Sequence, residues 1–492
     1  MINHRNAMIL CAVLAATSAC RRRRAPDGQT PNANGVSNAN NTNGAGTPGT
    51  SSASGPSAPG ISGTQGQSSV ESVPPTPATG CPAQQPNSAL GPGTVHTEHI
   101  TTNETWTLEG SPHRFPNGIV IEENVTVTVA PCAVVLLGEG RTFHVGGGGA
   151  VMAVGEAQRP IRIGSNKNEP QPGDWQAVSF EEHARASSRL AHVTIEHGGA
   201  TSAYGEASCF RSRLAGTDVQ HVTLRACRGY GAWLADNGSF STTSTNLVVR
   251  ETVVGGHSHS GAVYLQRANA VRTLPEGTYT GNEINEIAIG TNQAVDESGT
   301  WRNPGVRYHI ADDVDLRIEG PRSPVVQIAP GTTIAFGSNS SIAVGWDAEG
   351  GLTADGGSEQ GRITFTAAAT EPNAGAWEGV YVGERALRSR TKFNWVTIAF
   401  AGGDSGYDEA CAWNPQENDG ALYLSSALPA ENVSHVTFSG LPENAAAIVR
   451  VFRGTAVDYG AAALGNNFGA GTACKQSPVR GGEGCADNAR CD

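Results

Sequence analysis

The chain has 492 residues, 63 of them glycine, and only 16% are charged, for a formal net charge of −12. Residues 1 to 90 carry five arginines against Asp27 and Glu71, a net +3, which leaves −15 on the remainder. So acidic a body makes nucleic acid a poor partner. The three lysines, Lys167, Lys392 and Lys475, leave few candidates for chemistry that needs a lysine base.

In chain order, residues 1 to 19 read as an export signal: a charged start at Arg5, an apolar run from Ala7 to Ala16, then small residues. The apolar run is too short to span a bilayer as a helix. The ending Thr17-Ser18-Ala19-Cys20 resembles a bacterial lipobox, which makes Cys20 the expected lipidation site; cleavage by an ordinary signal peptidase near Ala19 is the alternative. A lipidated Cys20 makes the membrane a partner, and Arg21 to Arg24 directly behind it suit anionic headgroups. Residues 20 to 90 are otherwise Gly, Ser, Asn, Thr, Pro and Ala, a composition that cannot offset its ordering entropy by burial, and are expected to be a disordered linker.

Residues 91 to 300 and 301 to 470 are two copies of one unit. TVTVAPCAVVLLG (126 to 138) answers to VVQIAPGTTIAFG (325 to 337), and PGDWQAVSF (172 to 180) to AGAWEGVYV (374 to 382). A shorter period lies inside each copy: AHVTI at 191, QHVTL at 220 and SHVTF at 434, with NLVVR at 246 and NWVTI at 394. The first spacings, 26 to 29 residues, suit one turn of a solenoid. Short alternating segments such as GAVYLQ (261 to 266) and GALYLS (420 to 425), with no long amphipathic pattern, make the fold all-β. Alternation puts Val193 and Ile195 on the inner face of a strand, with His192 and Thr194 outside. Val178, Phe180, Val380 and Val382 are likewise expected inside.

Ten cysteines fit an exported protein. Without Cys11 and Cys20, eight are disulfide candidates: Cys81, Cys132, Cys209, Cys227, Cys411, Cys474, Cys485 and Cys491. Cys209 and Cys227 stand about one coil apart. Cys132 aligns with Gly331 at a turn, where Cys81 is its expected partner. Residues 471 to 492 form a Cys-rich tail that suits a cap on an open sheet edge.

Together the I-x-P-G-like turns, P-I-x-I/F-x-S/T, Gly-x-Trp and x-V-T-I-x-x-G-G elements resemble the right-handed parallel β-helix lipoproteins and surface proteins of Gram-negative bacteria, within the pectin-lyase-like group. The resemblance covers roughly residues 95 to 470. It implies a right-handed parallel β-helix, an outer-membrane location on the periplasmic or cell-surface side, and a scaffold that carries many unrelated activities.

Catalytic members of that group cleave acidic polysaccharides with paired carboxylates, calcium or a basic residue. No such set is present, and no catalytic residue is nominated. GGHSHSG (255 to 261) places His257 and His259 on one strand face without a third metal ligand. GGDSGYD (402 to 408) has the Gly-Asp-Ser-Gly of trypsin-like proteases without the matching histidine. Asp312, Asp313 and Asp315 are the candidate metal cluster, calcium being the cation they suit, against the plainer reading of a solvated turn; no other cofactor is expected. The loops at 201 to 218 and 403 to 419 protrude at equivalent places, and insertions on one side of a solenoid form its binding face. The binding candidates are therefore Trp377, Tyr381, Trp413, Asp404, Asp408 and Glu409. For Trp175 and Trp377 the plain reading is a corner residue whose indole N–H meets a turn carbonyl, and the sharper one, for Trp377 with Tyr381, is a sugar-stacking platform.

The expected function is a non-catalytic, membrane-anchored lipoprotein whose β-helix presents loops to a polysaccharide or another envelope component. A polysaccharide lyase or glycoside hydrolase acting on acidic polysaccharide is the alternative, and a structural spacer the third reading.

Overall fold

The structure, a computed structural model, describes residues 80 to 476 except 84, 203–204, 206, 256–259, 405–418, 444, 452–456 and 470–471. The described residues form one compact unit. Cys20, Cys411, Cys485, Cys491, His257, His259, Asp408, Glu409 and Trp413 lie outside the described residues.

The body is a parallel β-solenoid whose strands line three faces. In the first copy, face 1 starts with Glu104–Trp106, Thr126–Val129 and Ala150–Val154. Face 2 starts with His113–Phe115, Val134–Leu137 and Ile161–Ser165. Face 3 runs through Ile119–Ile121, Phe143–Val145, Val178–Phe180, Ser208–Ser212, Tyr230–Leu234, Gly261–Leu265 and Glu286–Ile289. All these pairings are parallel, so backbone groups are satisfied between coils about 4.8 Å apart. A single coil has no partner for its apolar side; stacked coils merge theirs, and one buried cluster extends from Ile100 to Tyr459 through both copies. Val178, Phe180, Val193, Ile195, Val380 and Val382 are all within it, as the alternation requires.

The HVTI phrase is not a straight strand. His192 has φ +49, and the residues before and after it pair with different strands: Arg189 to Ala191 with Met152 to Val154, and Val193 to Ile195 with Ile161 to Ile163. One residue in the left-handed region thus carries the chain from face 1 to face 2. His221, Asn246, Trp395 and His435 do the same at φ +50 to +53. His and Asn enter this region more readily than β-branched residues do. The corners also stack along the rod, His192 on His221 at 4.5 Å and Trp395 on His435 at 4.1 Å, and Asn246 donates to His221 Nδ1 at 2.9 Å.

The second copy repeats the strand order. Gly299–Trp301, Arg307–Ile310 and Asp315–Ile318 open it as Glu104–Trp106, His113–Phe115 and Ile119–Ile121 open the first. At the junction, however, the last face 3 strand, Glu286–Ile289, pairs with Arg307–Ile310, the face 2 strand of the second copy, while Val295 bridges Ile318 on its face 3. The second copy therefore continues the same stack with its faces shifted by one.

Trp175 and Trp377 answer to each other in detail. Both are at most 1% exposed. Trp175 Nε1 donates to the Glu196 carbonyl at 2.9 Å, and Trp377 Nε1 to that of Ala399, the equivalent residue, at 2.8 Å. Gly173 and Gly375, which precede them, take φ +87 and +71, where a side chain would be strained and would meet Arg228 or Pro442 within 3 Å.

Two boundaries need correction. The segment from Cys81 to Gly91 is not linker: Cys81 is disulfide-bonded to Cys132, and the Asn87 amide donates to the carbonyls of Ser165 and Lys167, both at 2.7 Å. This strap crosses the outside of face 2. The region 201 to 218 is not one loop, because Ser208–Ser212 is a fully buried strand of face 3. Its Cys209 bonds to Cys227, and Cys474 is also disulfide-bonded. In the tail, Thr472–Gln476 extends the last sheet by pairing with Ala446–Arg450. Disulfides at these places indicate an oxidising, exported setting. Among the described residues no helix is long and apolar enough to cross a membrane.

Candidate functional site: the outer surface of face 3

Strands that bury one side leave a column of outward side chains in register from coil to coil. On face 3 of the first copy that column reads His144, Ser179, Arg211, Trp233, Tyr264 and Ala288, and it continues on His309 of the second copy. It changes character along the rod. His144, Ser179 and Arg211 floor a groove of about 650 Å³, walled by Gln176, Glu181 and Arg213, with Ser202 from the preceding loop at its rim. Thr142 donates to Gln176 Oε1 at 2.7 Å; Glu181 lies 3.6 Å from His144 and 3.4 Å from Arg213, which also meets Asp236 at 2.9 Å. The groove is polar and nearly charge-balanced.

Next in the column come two aromatic rings. Trp233 and Tyr264 are half-buried, with centroids 4.1 Å apart, and Tyr230 closes against both at 5.5 Å. Tyr230 is buried, and its hydroxyl has no hydrogen-bond partner among the described residues. Burial, with Glu286 nearby, pushes that phenol far above its ordinary range, and burial raises Tyr264 as well, so both rings stay neutral. Further along, Glu286 receives His309 Nδ1 at 2.9 Å and Arg307 Nη2 at 3.0 Å. Burial alone would raise its carboxyl, but His309 and Arg307 outweigh that and hold it below the ordinary value. A carboxylate so committed is poorly suited to donate a proton as a general acid.

The second copy presents the equivalent column as Ala343, Tyr381, Tyr423 and Val449. Here the rings are not open. Tyr381 and Tyr423 are 2% and 1% exposed and form a small apolar cluster with Ala446 and Val449, packed against Trp346. Trp377 is inside the coil, its indole against Phe336 at 4.2 Å. Trp377 and Tyr381 therefore offer no stacking platform, contrary to the expectation: the parity of Tyr381 is outward, but its ring is covered. Asp404 is exposed at the end of the described part of its loop.

Asp312, Asp313 and Asp315 do not converge. Asp312 accepts from Ser338 N at 2.8 Å and Ser338 Oγ at 3.1 Å, Asp313 from Asn339 Nδ2 at 3.2 Å, and Asp315 from Ser341 Oγ at 2.7 Å. They are spread over rungs to the coil above, and among the described residues no three His, Cys, Asp or Glu side chains are placed to hold a metal ion.

The residues the sequence reading missed are Trp233 and Tyr264. Their signal was present in GAWL (231 to 234) and AVYL (262 to 265), which share the outward aromatic of GVYV (379 to 382) and ALYL (421 to 424). No protein-family profile, curated protein or solved structure matches the chain.

Proposed function

We propose that this is an exported, non-catalytic binding protein whose face 3 in the first copy holds a carbohydrate chain along the rod. The observation that carries this is the half-exposed Trp233–Tyr264 pair in register with the polar groove. Flat aromatic surface serves the apolar face of a sugar ring, and the Ser, Thr, Gln and His side chains beside it serve hydroxyls. The coils repeat about every 4.8 Å, so an extended glycan running along the axis meets a new row with each sugar. A stacked sheet holds these groups with little ordering left to do on binding. The near-balanced charge of the groove favours a neutral glycan. In this reading Cys20 is acylated, the chain is anchored at the outer membrane, and the scaffold is of the pectin-lyase-like kind; the export-like start of the sequence and the disulfides support it.

A glycan array probed with the full chain and with the Trp233→Ala/Tyr264→Ala double variant tests the proposal. Both rings stand on the outer side of the sheet and outside the shared core, so the double variant should stay folded, melting below the parent by the packing that the half-buried rings lose, and should lose its glycans. Equal binding by the two proteins, or no glycan bound by the parent, overturns it. Turnover of a bound glycan would move the assignment to the lyase or hydrolase reading.

A further inference from the structure

The strap builds a second site on face 2, independent of the glycan reading. It is pinned at Cys81 by the disulfide to Cys132 and at Asn87 by two amide hydrogen bonds, and between it and the sheet runs a groove of about 480 Å³. That is the size of a small-molecule site. The floor climbs coil by coil through Val134, Arg162, Thr194 and Thr223, which are in register. Those three steps alone cover roughly 14 Å.

The two ends differ in chemistry. At the foot are Leu90, Leu108 and Pro112, with Leu108 38% exposed. At the top are Arg225 and Arg250. Arg162 and Arg225 share one carboxylate, that of Glu196, and Arg250 pairs with Glu251 at 3.0 Å. Three guanidiniums, Arg162 on the floor and Arg225 and Arg250 at the top, against two carboxylates leave a net positive charge from the floor to the top of the groove on a body that is otherwise strongly acidic, which is complementary to an anion.

We propose that this groove binds one free single-chain amphiphile with an anionic head, its chain along Leu90, Leu108 and Pro112 and its head at Arg225 and Arg250. Calorimetry on the full chain with monomeric dodecanoate, and with dodecyltrimethylammonium as the same tail with the opposite charge, provides the test. Dodecanoate should bind with one site per chain, and the cation at least tenfold more weakly. Arg250→Ala should weaken dodecanoate by about tenfold, as loss of a hydrogen bond to a charged group does, and leave the cation unchanged. Thr223→Trp fills the floor and should abolish binding; Leu108→Asp blocks the foot and should do so independently if the first variant folds poorly. The proposal falls if dodecanoate does not bind, if the two probes bind equally, if both blocking variants bind as the parent does, or if only vesicles of anionic lipid are bound.

Discussion

Glu196 is fully buried, on the outer side of face 2, and gives the sharpest stability prediction. Its carboxylate receives Arg162 Nε at 2.5 Å and Arg225 Nε at 2.7 Å, tying three consecutive coils together. Burial by itself would raise this carboxyl, yet the two arginines, with His197 adding, hold it below its ordinary value of 4.5. Glu196→Gln keeps the shape, removes the charge and points an amide N–H at one guanidinium. Removing one partner of a buried ion pair costs about 3–5 kcal/mol; because the Arg162 and Arg225 side chains remain 13% and 31% exposed and can reach water, the low end, ~3 kcal/mol, applies. In a stack of coils the loss is local, so hydrogen exchange is the appropriate assay. Protection in Arg189–Glu196 and Asp218–Arg225 should fall by roughly a hundredfold, with distant coils unchanged. The pH dependence has a definite sign: a carboxyl lowered on folding contributes stability that is complete above 4.5 and is lost as the pH falls through its lower folded value. The difference in protection between parent and variant in these two strands should therefore be constant from pH 7 to about 5 and shrink on acidification. A variant as protected as the parent at neutral pH would refute the reasoning.

Other outcomes follow from the same geometry. Trp377→Ala opens a cavity in the shared core and should cost about 3–5 kcal/mol by calorimetric melting, without touching glycan binding. At the left-handed corners, His221→Val should be roughly 1–2 kcal/mol worse than His221→Asn, because the β-branched residue is strained there; equal melting would contradict the role of the corner. Asn87→Ala leaves the buried Ser165 carbonyl and the part-buried Lys167 carbonyl without this donor, and should release the strap to proteolysis at a cost of about 1–3 kcal/mol. Calcium addition or chelation should leave the melting temperature unchanged, since Asp312, Asp313 and Asp315 are spent on Ser338, Asn339 and Ser341.

Much of the scaffold was legible because solenoids repeat. Val193 and Ile195 announce their burial by alternation, and two Gly-x-Trp elements about 200 residues apart announce equivalent strand starts with equivalent hydrogen bonds. The bend at His192 was not legible, since a left-handed residue inside a β-rich run does not disturb period-two hydrophobicity. Nor was the shift of faces at Glu286–Ile289, which depends on which strand of the next coil lies above. The site was half legible: parity marks Trp233, Tyr264, Tyr381 and Tyr423 all as outward, but whether an outward ring stays open is decided by what packs over it. Copy 1 leaves its rings half-exposed and copy 2 covers them, a difference carried by tertiary packing.

The most direct measurement is a crystal structure of the protein with an oligosaccharide selected on the array. The account predicts sugar rings over Trp233 and Tyr264, with the chain running along the rod into the groove at Ser179 and Arg211. Sugar seated on the second copy alone, or across the rod at any other face, would contradict it.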